Sequence, residues 1–307
     1  MKFIEDINMH YLITGGTGLI GRSLCQTLLT AGHDITVLSR NKTKVYKQCG
    51  RNVKAIQSLD EISGDQKIDI VINLAGEPIA DKKWSKQQKN ILEQSRIGLT
   101  AALVNWIKTR QAKPHALISG SAVGWYGDQK QQPLTELSDY QHDYAHELCE
   151  KWEKAALEAA DEVRVCIIRT GLVLSTEGGV LQRMLLPFKL GGGCTLGKGD
   201  QYMPWIHISD IVSLIIYLSQ TPSAKGVFNG TAPHPVTNAT FTTTLAKHLH
   251  RPAIFKAPEW LLKCALGEMS QLLLGGQRAY PEKATAIGYQ FQYTDLDDAF
   301  NNLLNKS

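Results

Sequence analysis

An α/β fold built on a Rossmann-like, doubly wound parallel sheet with a smaller C-terminal substrate region is what this 307-residue chain predicts. Three observations carry the prediction. Near the N-terminus a short apolar run gives way to a glycine-rich turn and then to apolar residues at helical spacing. Further apolar runs of strand length follow, separated by stretches long enough for helices. One of them, residues 68–75, is nearly continuous in apolar character, as a strand buried on both faces requires.

Each element can be justified in order. His10, Tyr11, Leu12 and Ile13 read as the first strand, Gly15 and Gly16 turn the chain, and Leu19, Ile20, Leu24 and Leu28 recur at helical spacing until Gly32. Residues 34–39 read as a second strand, 53–56 as a weak third and 68–75 as the fourth. Ser85-Lys86-Gln87-Gln88 matches a capping box, which starts a long helix running to about Arg110. Residues 115–119 give a fifth strand. A loop with Gly124, Gly127 and Pro133 leads to a helix near 142–160, and residues 165–168 give a sixth strand. Strands alternating with helices imply right-handed βαβ units. Beyond this point the alternation decays: glycines cluster at Gly191-Gly192-Gly193, Gly197 and Gly199, and helical stretches follow Ser209 and Thr237. The expected division is a Rossmann core over 9–175, its sheet open to completion by later strands. Mixed substrate-region and core elements over 176–250 and a small helical domain over 251–307 complete it.

Composition removes several function classes. Hydrophobic residues at 43% and charged residues at 20% are those of a folded protein rather than a disordered one. Basic residues number 33 against 29 acidic, and no Lys/Arg block tracks a nucleic-acid backbone, so nucleic acid is not an expected partner. Six scattered cysteines make neither a C-x-x-C pair nor a zinc-spaced cluster, which points to reduced thiols and no metal. Residues 1–8 lack a signal-peptide core, and no apolar run approaches the roughly 18 residues of a membrane span. A cytoplasmic protein without a membrane role is expected, with the eight residues before Met9 a frayed extension or a start-site artefact.

Thr14-Gly15-Gly16-Thr17-Gly18-Leu19-Ile20-Gly21 places glycines where backbone must approach a pyrophosphate, at a helix N-terminus that offers unpaired N–H donors. A structural turn is the plainer alternative. At the end of the second strand an NAD-selective site would carry an acid for the ribose hydroxyls. Here stand Ser39 and Arg40, with Lys42 close by, and an arginine suits the 2′-phosphate of NADP(H). Gly197-Lys198-Gly199-Asp200-Gln201 reads equally as an anion-holding loop or a surface loop.

These residues resemble a known family. The glycine turn, Asn73-Leu74-Ala75-Gly76, Ser119-Gly120-Ser121 through Trp125-Tyr126-Gly127, and Arg169-Thr170-Gly171 look like an extended short-chain dehydrogenase/reductase. Gly76-Glu77-Pro78-Ile79-Ala80, Trp205-Ile206-His207-Ile208 with Asp210, and the tail motifs Gly267-Glu268-Met269 and Gly276-Gln277-Arg278 narrow it. They resemble an atypical branch, the YfcH-like epimerase family proteins, NAD-dependent epimerase/dehydratase-like with a C-terminal domain of unknown function. The resemblance runs from Met9 to about Leu304. It implies NADP(H) held through Gly15, Thr17, Gly18, Leu19, Ile20, Gly21, Ser39, Arg40, Leu74, Ala75 and Gly76, and a small-molecule substrate such as a nucleotide sugar or another carbonyl compound.

The family's catalytic serine matches Ser121, but its Tyr/Lys pair is missing. Tyr144 is followed four residues later by Leu148; in the other register Ala145 and Cys149 hold the two positions. Tyr144, Leu148, Trp152, Ala155 and Ala159 form one helical stripe that reads as core. Proton transfer must then fall to His207, Tyr126, Cys149 or water held by Arg96. Arg96 shares a predicted apolar face with Leu92, Leu99 and Leu103, where a cation needs an anionic or carbonyl partner. Two readings stay open: an NADP(H)-dependent oxidoreductase or epimerase-like enzyme, and a non-catalytic NADP(H)-binding sensor or partner-binding protein.

Overall fold

The computed structural model describes residues 8–305. Its centre is a seven-stranded sheet: β1 (His10–Thr14), β2 (Asp34–Leu38), β3 (Lys54–Ile56), β4 (Ile70–Asn73), β5 (Ala116–Ala122), β6 (Arg164–Thr170) and β7 (Gly226–Gly230). Their order is β7-β6-β5-β4-β1-β2-β3, and every pairing is parallel. The chain reverses direction across the sheet between β1 and β4, which opens a crevice at their C-terminal ends, where ligands bind in such sheets. Thr14 and Asn73 are paired in register at that point. β7 is the later strand that completes the sheet.

Alternation along each strand divides the core. Tyr11 and Ile13, Ile70 and Ile72, and Cys166 and Ile168 meet α1 (Leu19–Thr30) and the helix Ile208–Gln220 on one face. Leu12, Val71, Leu117 and Ile167 meet the helix Leu99–Thr109 and the C-terminal end of Tyr144–Leu157 on the other. Both faces are covered, so the strands are apolar throughout. A third core gathers Leu181, Phe188, Trp205, Phe241 and Phe300, with the Phe241 and Phe300 rings 5.2 Å apart. Residues on either side of position 251 therefore share packing. Among the described residues no helix is long and apolar enough to cross a membrane, and no group of His, Cys, Asp or Glu is placed to hold a metal.

The expected helix from Ser85 to Arg110 is interrupted. Ser85 does cap it, accepting from Gln88 N–H, and an α-helix runs over Lys86–Glu93. A π-helical turn follows at Gln94–Gly98 before the α-helix resumes at Leu99–Thr109. The wider turn inserts extra backbone into the ladder and rotates everything beyond it. Leu92, Arg96, Leu99 and Leu103 thus do not form one uniform apolar face: Leu92 and Leu103 are fully buried, while Arg96 and Leu99 are half-buried. β4 also ends at Asn73, two residues short of the expectation, because Leu74 and Ala75 turn aside beneath the glycine loop.

Candidate functional site

The glycine loop crosses the crevice in contact with the strand beside it. Gly15 has φ +70°, and a Cβ there would lie 2.6 Å from the Leu74 carbonyl carbon and 2.7 Å from Ala75 N. At Gly21 a Cβ would strike the Gly15 oxygen at 2.2 Å, so the helix can sit this close to the turn only without a side chain. Gly18 is the N-cap of α1 and supplies no side-chain cap, which leaves the first N–H groups of the helix, from Leu19 and Ile20 onward, to an external acceptor. Thr17 is half-buried beside Gly18, which is exposed. At the end of β2, Ser39 Oγ accepts from Asn41 N–H, Lys42 is tied to Glu61 at 2.6 Å, and Arg40 is exposed with no ion-pair partner among the described residues.

A buried polar chain holds the floor of the crevice. Thr14 Oγ1 donates to Asn73 Oδ1 at 2.8 Å, and Asn73 Nδ2 donates to Thr100 Oγ1 at 2.8 Å. Thr100 also accepts from Trp152 Nε1 at 3.0 Å and donates to the Arg96 carbonyl at 2.7 Å. Each polar group is satisfied by its neighbour, so the network fixes the π turn and the Trp152 ring relative to the end of β1.

Ser121 lies near the C-terminal end of β5, buried, where its hydroxyl donates to Glu153 Oε1 at 2.6 Å. Glu153 in turn receives Arg169 Nε on Oε1 and Nη2 on Oε2, both at 2.9 Å. The Arg169 guanidinium lies 3.4 Å from the Trp125 ring centre. Burial works against this cation, but the hydrogen bonds and charge of Glu153 outweigh it and raise its pKa. Ser121 is thus an oriented hydroxyl with its proton directed inward. Cys149, on the same helix as Glu153, is also buried; burial and then the Glu153 charge push its thiol up to about 12, against smaller effects of Ala122, Ser121 and Arg96. It is a neutral thiol at physiological pH.

Arg96 projects from the π turn to the loop after β4. Nη2 donates to the Glu77 carbonyl at 2.9 Å, and Nη1 reaches the Leu92 carbonyl and Ser95 Oγ, both at 3.3 Å. Trp152 lies 5.4 Å away. The partners expected for a cation on this helix are therefore carbonyls, and desolvation lowers its pKa.

Two expected proton donors are engaged elsewhere. Tyr126 is fully buried, and its hydroxyl lies 2.7 Å from Asn229 Oδ1 and 2.9 Å from the Thr135 carbonyl; burial raises its pKa. His207 is the N-cap of the helix Ile208–Gln220, its Nδ1 accepting from Ser209 N–H at 3.1 Å. The strand Trp205–His207 pairs with Leu172–Leu174 rather than with the central sheet. Tyr144, read as core, is buried, with its hydroxyl 3.4 Å from the Lys89 carbonyl.

Motif reading includes Arg169 in Arg169-Thr170-Gly171 but does not foresee its pairing with Glu153. A signal exists for Arg169: it is the one charged residue within the apolar stretch Val165 to Thr170, where a cation demands a partner. No comparable signal marks Trp152, whose stripe reads as core.

Comparison with known proteins follows this geometry. Residues 11–229 match the model of the NAD dependent epimerase/dehydratase family, and residues 257–303 match a domain of unknown function, DUF1731. The chain is 37% identical to the epimerase family protein SDR39U1 homolog, chloroplastic, of Arabidopsis thaliana, over 98% of this chain and 88% of that protein. The human epimerase family protein SDR39U1, crystallised with NADPH, superposes with a TM-score of 0.89 at 32% identity, covering 97% of this chain and 100% of that one. A nucleoside-diphosphate sugar epimerase from Corynebacterium glutamicum gives a TM-score of 0.75 at 29% identity, covering 98% of this chain and 59% of that one. The protein therefore belongs to the NAD dependent epimerase/dehydratase family, and its C-terminal segment is of the DUF1731 type.

Proposed function

We propose that the chain binds NADP(H) in the β1–β4 crevice and acts as an atypical oxidoreductase or epimerase-like enzyme on a carbonyl or alcohol substrate, nucleotide sugars included. The observation that carries the reading is the pairing of an uncapped α1 N-terminus behind Gly15 and Gly18 with an exposed Arg40 at the end of β2 that has no ion-pair partner among the described residues. The first suits a pyrophosphate and the second a 2′-phosphate. Leu74, Ala75 and Gly76 would line the groove beside Gly15, with Ser39 next to Arg40. The NADPH-bound human relative and the nucleoside-diphosphate sugar epimerase support the cofactor and the substrate class.

When bound, the nicotinamide supplies hydride transfer. Ser121, with its hydroxyl proton directed to Glu153, would present oxygen lone pairs to a substrate hydroxyl and hold it in place. Arg96 would face the substrate from the π turn. Cys149, neutral and buried, would serve as a packing neighbour or a proton donor rather than a base.

A second reading, a non-catalytic NADP(H)-binding sensor, is favoured by one observation: the Tyr126 hydroxyl and His207 Nδ1 are both occupied in structural hydrogen bonds. A screen of cofactor oxidation and reduction over carbonyl compounds and nucleotide sugars separates the two. Turnover that falls by about tenfold or more in Ser121→Ala, the loss of a charge-assisted contact, supports the enzyme. NADPH binding without turnover of any compound supports the sensor.

A further inference from the structure

We propose that the end of the helix Gly179–Lys189 and the C-terminal segment beside it form a docking face for an anionic membrane surface, on which the protein lies without spanning the bilayer.

Eleven large hydrophobic side chains are exposed among the described residues, and six of them fall within 186–190 and 254–261. Leu190 and Ile254 are each 78% exposed, Leu186 and Trp260 each 66%, and Phe255 and Leu261 are exposed with them. The helix Glu259–Leu266 reads Glu-Trp-Leu-Leu-Lys-Cys-Ala-Leu, yet none of its residues is buried. So apolar a helix, packed so little against its own protein, keeps a face for something else. Backbone bonds hold the two stretches side by side. Phe255–Ala257 pairs in parallel with Cys194–Leu196, Gly197 N–H donates to the Ala257 carbonyl at 2.8 Å, and Arg251 Nε donates to the Lys189 carbonyl at 2.9 Å. The six side chains therefore belong to adjoining segments.

Charge decides what covers them. Within 186–196 and 250–264 the charged residues are Lys189, Arg251, Lys256 and Lys263 against Glu259 alone, and Glu259 is itself 3.7 Å from Lys263. A second copy docking through the same patch would set these bases against themselves, because a twofold interface is self-complementary. Side chains exposed to this degree protrude, and they offer a partner protein no walled groove. Apolar side chains projecting among exposed lysines and an arginine match a bilayer: the former enter at headgroup depth while the bases meet anionic headgroups. The expectation of no membrane role rests on the lack of a spanning run, and lying in the interface needs none.

Co-sedimentation of the full chain with vesicles of phosphatidylcholine alone, or of equal parts phosphatidylcholine and phosphatidylserine, tests the proposal. Binding to the mixed vesicles is expected to be tighter by about tenfold or more, and to weaken as salt rises. Ile254→Ser with Trp260→Ser, and separately Lys189→Glu with Lys256→Glu, should each reduce it by about tenfold or more. Leu137→Ser, which removes an exposed apolar side chain outside the two stretches, leaves it unchanged. Melting temperatures with and without NADPH stay at wild-type values in all these variants, which separates a lost docking face from a lost fold. Equal binding to the two vesicles, no binding to either, or binding retained in the patch variants overturns the proposal. Self-association in sedimentation velocity that the patch variants abolish, without vesicle binding, assigns the face to a second copy and overturns it as well.

Discussion

Arg169 and Arg96 each stand against a tryptophan ring, Trp125 and Trp152 respectively, and they differ in what answers their charge. Arg169 lies over Trp125 and is gripped on two nitrogens by Glu153, which also accepts a hydrogen bond from the Ser121 hydroxyl. Arg96 lies beside Trp152 with only carbonyl and hydroxyl oxygens around it and a glycine where a side chain would cover it. The same residue type thus builds a carboxylate-closed lock at one place and, at the other, a cation answered only by neutral oxygens. At Arg169 the lost solvation is offset by the protein's own carboxylate; at Arg96 it is offset only by neutral oxygens and partial exposure.

The largest expected effect comes from opening the lock. Glu153→Gln keeps the volume but leaves Arg169 without a counter-charge, and it should lower unfolding stability by about 3 to 5 kcal/mol in denaturant titrations. A loss under about 1 kcal/mol would mean that the pair does not hold the fold. Ser121→Ala removes one charge-assisted hydrogen bond from the same lock and should cost about 1.5 to 3 kcal/mol. Arg96→Met keeps the apolar stem and loses contacts to neutral oxygens, so about 1 kcal/mol is expected in the apo protein, with ligand binding weakened. Destabilisation as large as that of Glu153→Gln, with an unchanged response to NADPH, would erase the contrast and make Arg96 structural.

The smallest effect concerns Cys149, on the helix that carries Trp152 and Glu153. Burial holds its thiol protonated up to about 12, so brief iodoacetamide treatment at neutral pH should leave it unlabelled by mass spectrometry. Labelling should quicken as pH rises. The unfolded thiol ionises near 8.5, so the unfolded chain loses this proton first and stability should fall as pH climbs from there toward 12. Rapid, NADPH-blocked labelling at neutral pH would instead make Cys149 a reactive group of the site.

How much of this is legible in the sequence depends on how local the cause is. The turn at Gly15 to Gly21 can be read because its glycines, the strand before it and the helix after it are contiguous. Arg40 can be read because its place at the end of β2 follows from strand length. The π turn at Gln94–Gly98 cannot, since no residue pattern distinguishes it from an uninterrupted amphipathic helix. The Glu153–Arg169 lock needs a helix and a strand to meet in space, and only the lone charge in an apolar strand hints at it. Tyr126 and His207 look available in sequence because their hydrogen-bond partners, Asn229, Thr135 and the Ser209 amide, are supplied by the folded chain.

The most direct test of the account is a fluorescence titration of NADPH and NADH against wild type and Arg40→Ala. The account predicts that NADPH binds more tightly by about tenfold to over a hundredfold, the range of one charge-assisted contact, and that Arg40→Ala abolishes the preference while leaving NADH affinity near wild type. Equal affinities in the wild type, or a preference unchanged in Arg40→Ala, would contradict it.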